Sequence, residues 1–141
     1  VSVHTPRHTL YHLAFHWPAR AALFPCDLLL GEGDTTWVAG YPGCVADYLA
    51  SLERLRALPL EAVFPTHGPS RDDPAALLDR FEGHRRERIE QVRRALAARP
   101  GADAGELVDV VYGGEVPPGL REAVVESVEA VLDHLGRGAA G

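Results

Sequence analysis

Four histidines spaced by four residues, His4, His8, His12 and His16, would form one continuous stripe on a helix, and such pairs can bind metal. Proline forbids that helix. Pro6 and Pro18 bracket the run, and proline removes a backbone donor and biases the preceding residue toward extended backbone. Between them Tyr11, Leu13 and Phe15 alternate with His12, Ala14 and His16. That is the period of a strand with one apolar and one mixed face. Val1–His4 reads as the end of an earlier strand. Pro18-Ala19-Arg20 reads as a turn, and Ala21–Phe24 as a second arm that delivers Asp27 at its far end.

The next segments follow the same logic. Gly31-Glu32-Gly33-Asp34 breaks the chain after Leu28-Leu29-Leu30, and a loop with Trp37 and Tyr41 runs to Gly43. The apolar stripe Val45, Tyr48, Leu49, Leu52, Leu55 predicts a helix over 45–57, which Pro59 stops. Leu60–Phe64 reads as a short strand that ends in Pro65-Thr66-His67-Gly68-Pro69. Asp73 and Pro74 open a long helix to about Ala98, with Gly83 as its weak point. Asp103 caps a short helix, Pro117-Pro118 opens a last one, and a Gly-rich tail is expected to fray. The expected organisation is an α/β unit over 1–73 and a helical appendage over 74–141.

Composition narrows the function. A net charge of -6 argues against gripping nucleic acid through bulk positive charge. No apolar run reaches the ~20 residues of a membrane span, and no secretory leader is visible, so a cytoplasmic protein is expected. Cys26 and Cys44 are read as two reduced thiols. The chain starts at Val1 without any methionine, and a preceding segment is expected. His8, Asp27 and His67 each follow an apolar, strand-like segment and are flanked by Pro or Gly. Imidazole and carboxylate brought to one sheet edge suit Zn²⁺, with Mn²⁺ or Fe as alternatives.

At these residues the sequence resembles the metallo-β-lactamase family. His4-Thr5-Pro6-Arg7-His8-Thr9 is similar to that fold's His-Thr-Pro-Gly-His-Thr segment. Phe24-Pro25-Cys26-Asp27 followed by Leu28-Leu29-Leu30-Gly31-Glu32-Gly33 is similar to its Ser-Gly-Asp segment. Phe64-Pro65-Thr66-His67-Gly68-Pro69 is similar to its Pro-Gly-His-Gly-Pro segment. The run through Gly31-Glu32-Gly33, the helix from Asp47 to Leu52 and the later His84-Arg85 helix most resemble the β-lactamase-like protein 2 branch.

The resemblance implies the C-terminal half of the αβ/βα sandwich, followed by a small winged-helix-like appendage. It implies a hydrolase with two zinc ions. His8 would ligate the first ion, Asp27 would bridge the two and act in catalysis, and His67 would ligate the second. His4 would not be a ligand, and His12 and His16 are read as structural. His84 and Arg85 are weaker candidates for substrate contact. The implied substrates are phosphodiesters, single-stranded RNA among them, or small-molecule thioesters.

A glyoxalase-II-type thioesterase is the alternative enzyme, and a non-catalytic interaction or nucleic-acid-binding module the alternative class. Arg85, Arg86, Arg88, Arg93 and Arg94 motivate nucleic-acid binding. Glu82, Glu87 and Glu90 interleave with them and favour a solvated, salt-bridged face.

The sequence also departs from the pattern. The family's His-x-His-x-Asp-His motif is absent, and Arg7, Cys26 and Thr66 stand at glycine positions. The chain alone is therefore expected to hold metal weakly, to expose an apolar sheet face, and to associate with itself.

Overall fold

The computed structural model describes residues 1–114 and 116–139, leaving aside the side chains of 137–139. Of the tail 136–141 expected to fray, 136–139 continue the last helix, and 140–141 lie outside the described residues. Strands β1 (Ser2–His4), β2 (Leu13–Trp17), β3 (Ala22–Phe24) and β4 (Ala62–Val63) form one sheet in chain order. β1–β2 and β2–β3 are antiparallel, with Val3 opposite Ala14 and Phe15 opposite Phe24. The second hairpin turns through a 3-10 turn at Pro18–Arg20, closed by Ala21 in the left-handed region.

β3 and β4 are parallel, so the chain must cross over between them. Helix α1 (Cys44–Arg56) supplies the crossover. It buries Val45, Tyr48, Leu52 and Leu55, most of the stripe read from sequence.

Helix α2 (Pro74–Ala98) starts where Asp73 accepts the Ala76 N–H at 3.0 Å, with Pro74 in its first turn. It passes Gly83 without interruption. Asp103 and Glu106 form a reciprocal capping box on α3 (Ala104–Tyr112), and Gly113 ends it in the left-handed region. A 3-10 turn at Pro118–Leu120 leads into α4 (Arg121–Ala139). Among the described residues no strand lies beyond β4, so the helices after Pro74 carry no wing there.

One apolar cluster joins all these elements. Leu23 and Val63 meet Tyr48 and Leu52 of α1, Leu78 and Phe81 of α2, Leu107 of α3 and Val131 of α4. The core therefore runs through the boundary expected at 73/74.

β2 turns its mixed face inward, with Ala14 and His16 buried. Its apolar face points out: Leu13, Phe15 and Trp17 are each 40–52% exposed. Phe24 and Phe64 extend that face and stack with ring centroids 5.4 Å apart.

Candidate metal centre

The turn after β1 is built from its own polar groups. The Thr5 N–H donates to the His12 carbonyl at 2.9 Å, and His12 Nδ1 lies 3.0 Å from the Thr5 carbonyl oxygen. Ser51 Oγ of α1 donates to the Pro6 carbonyl at 3.0 Å and pins the turn to the helix. Arg7 is not left-handed, so the strain a glycine position would impose there is absent. Its side chain instead runs inward and is only 5% exposed.

Asp27 follows a different solution. Cys26, just before it, has φ +52°, a conformation that costs an L-residue about 1–2 kcal/mol. The glycine of the family segment would carry that geometry freely. The Leu28 N–H closes the turn on the Pro25 carbonyl at 3.1 Å.

His67 lies beyond β4 in a loop locked to the one after Asp27. The Gly31 N–H donates to the His67 carbonyl at 2.8 Å. Arg71 donates through Nε and Nη2 to the Gly31 carbonyl, while its backbone pairs with Val63.

The lock brings His67 Nε2 to 3.6 Å from Asp27 Oδ1. Asp27 Oδ1 is buried and has no hydrogen-bond partner. Two ligand bonds of about 2.0–2.2 Å at a tetrahedral angle leave their donors about 3.3–3.6 Å apart. The pair thus fits two corners of one metal's shell.

The other oxygen, Asp27 Oδ2, lies 3.8 Å from Arg7 Nη2. His8 does not join as a third donor: among the described residues no three of His, Cys, Asp and Glu gather as a metal requires. Its ring lies over Trp37, centroids 5.8 Å apart, and edge-on to His12 at 5.9 Å. His8 Nδ1 and His12 Nε2 are buried without partners. Burial, reinforced by the nearby Arg7 cation, holds both imidazoles below the usual histidine range and so neutral. The sequence marks His12 as structural, but its anchored Nδ1 and free Nε2 are the arrangement of an oriented imidazole.

The two substrate candidates separate. His84 is half-buried, with Nε2 3.9 Å from Asp34 Oδ1. Arg85 is buried, which corrects its reading as a substrate contact. It donates to the Thr36 carbonyl at 2.8 Å and lies over the Tyr48 ring. The signal was available: position 85 falls on the α2 stripe of Leu78, Phe81, Ile89 and Val92.

No family model matches the chain. Individual relatives do. A beta-lactamase-like protein 2 homolog of Caenorhabditis elegans is 29% identical over 131 residues, 93% of this chain and 42% of its own length. A metallo-beta-lactamase family protein of Thermus thermophilus, known by crystal structure, matches with TM-score 0.81 at 24% identity. That match covers 99% of this chain and 44% of the other.

The chain carries the metallo-β-lactamase fold, over the share that corresponds to that fold's C-terminal portion.

A hydroxyacylglutathione hydrolase of Pseudomonas aeruginosa (strain LESB58) is 37% identical over 94 residues, 56% of this chain and 34% of its own length. The chain spans less than half the length of these relatives, a share that fits the C-terminal portion of the fold. β1–β4 form the sheet on which the helices pack, with the Asp27–His67 pair in the loops that follow β3 and β4.

Proposed function

We propose that this chain supplies the Asp27–His67 arm of a metal-dependent hydrolase centre. The observation that carries the reading is the buried, unpartnered Asp27 Oδ1 facing His67 Nε2 at the spacing of two ligands on one ion. Asp27 would hold the ion through Oδ1 and His67 through Nε2, with zinc the favoured ion and Mn or Fe as alternatives. Such an ion lowers the pKa of a water toward ~7 and polarises the bond to be cleaved. Arg7 adds a fixed positive charge behind the carboxylate, and neutral His8 and His12 stand ready to accept protons.

Two substrate classes follow from this reading, small-molecule thioesters and phosphodiesters such as RNA. The arginines of α2 favour the thioester. Arg86 shares Glu82 with Arg56, and Arg93 and Arg94 share Glu90, so these arginines are tied to carboxylates on a solvated face and are not held free for phosphates. The likeness to the hydroxyacylglutathione hydrolase points the same way. The test uses the full-length protein that carries this sequence, assayed with a glutathione thioester and with labelled single-stranded RNA. Asp27→Asn and His67→Gln should each remove at least about 100-fold of whichever activity is present. Full activity in both variants would refute the assignment.

A further inference from the structure

Asp27 has two oxygens, and the fold treats them differently. Oδ1 is buried, unpartnered and 3.6 Å from His67 Nε2. Oδ2 faces the Arg7 guanidinium at 3.8 Å. A carboxylate can hold one cation on each oxygen, and one of these places already faces a cation of the protein's own.

We propose that Arg7 takes the place of a metal ion at Asp27, so that the carboxylate ligates a single ion through Oδ1 and does not bridge two.

The proposal rests on the metal-centre reading above and adds the count of ions. Three observations carry it. Arg7 is only 5% exposed, in a turn pinned to α1 by Ser51, so it cannot swing into solvent to admit an ion. Its Nε is buried without a partner, which leaves the guanidinium no ionic anchor besides Asp27 among the described residues. The charge itself excludes a second cation. A divalent ion on Oδ2 would lie within a few ångströms of the guanidinium, where repulsion between like charges is strong even at an effective dielectric constant of about 20. His8 is then left without an ion to share with Asp27, in keeping with its place against Trp37 and with the lack of a three-donor cluster among the described residues.

The test is a Co²⁺ titration of the 141-residue chain, to millimolar ion, with equilibrium dialysis for the count and NMR of the histidine rings for the location. Wild type should bind one Co²⁺, perturbing His67. Arg7→Gly should bind a second ion, perturb His8, and raise the affinity at the Asp27 position at least about tenfold. Arg7→Gln removes the charge, keeps much of the side chain and should also gain the second ion, an outcome a purely structural role would not produce, whereas Arg7→Lys keeps the charge and should stay at one ion. Circular dichroism confirms that each variant is folded. If Arg7→Gly proves unfolded, the Arg7→Gln count decides in its place: two ions would support the proposal and one would refute it. Equal counts and affinities in wild type and Arg7→Gly overturn the role of Arg7 and leave the metal centre standing. Absence of Co²⁺ binding in every variant overturns the metal centre and the proposal with it.

Discussion

Gly31 and Pro69 touch through their backbones, and a Cβ on Gly31 would drive into the Pro69 carbonyl and lie 2.6 Å from Gly68 C. No flexible side chain can yield there. Gly31→Ala should therefore pry the Asp27 loop from the His67 loop. The expected cost is about 1–3 kcal/mol, typical of overpacking, read as a lower urea midpoint. Gly68→Ala should act alike, since its φ is +83° and its Cβ would sit 2.8 Å from the Glu32 nitrogen. Gly83→Ala is the control: nothing lies within 4 Å, and it should stabilise α2 by up to about 1 kcal/mol.

Cys26→Gly should raise stability by about 1 kcal/mol, because it relieves a left-handed backbone at a half-buried side chain. Cys26→Val should lower it, since a branched side chain is worse still at φ +52°. Thermal melts in the presence of a chelator read both effects. A Cys26→Gly protein that melts lower than wild type would contradict the strain argument.

Stability should fall as the pH drops from about 7 through 6.5, the ordinary histidine value. Burial holds His84 below that value, and Arg88 and Arg85 add to the effect while Asp34 opposes it. The unfolded chain therefore takes up protons in this window before the folded chain does, and protonation favours unfolding. His8 and His12 contribute with the same sign. Urea midpoints at about pH 7.5 and 5.5, on either side of that value, measure the loss. His84→Gln should make the difference smaller; an unchanged difference would assign it to the other histidines.

The outward face of the sheet should make the isolated chain associate. Phe15, Trp17, Phe24 and Phe64 form an apolar surface across the sheet, a kind that monomers rarely leave bare. Sedimentation at tens of micromolar should show dimers or larger species. Phe15→Ser with Trp17→Ser should shift the chain to monomer without unfolding it, because both side chains are about half exposed.

Much of this architecture is legible in the residues. Pro6, Pro18 and the alternation from Tyr11 to His16 specify a strand where histidine spacing suggests a helix, and β2 is that strand. Asp73-Pro74 and Asp103-x-x-Glu106 mark helix starts because capping is local chemistry. Arg7 is not legible in the same way. An arginine in a proline turn reads as solvated, and its burial beside Asp27, distant in sequence, appears only in the fold. The inward face of β2 is hidden for a related reason. Which face of a strand meets the helices is decided by where α1 and α2 lie, not by which face is more apolar.

The Arg71 clasp has an entropic consequence. Arg71 grips the Gly31 carbonyl while its backbone pairs with Val63, and Gly31 holds His67 in turn. The two loops are thereby one body, and the freedom of their backbones is surrendered when the chain folds. A ligand that spans Asp27 and His67 meets donors already in register and has little left to immobilise. Loosening the clasp at Arg71, which bonds to the Gly31 carbonyl and to neither donor side chain, should therefore weaken that ligand's hold while leaving both donor side chains intact.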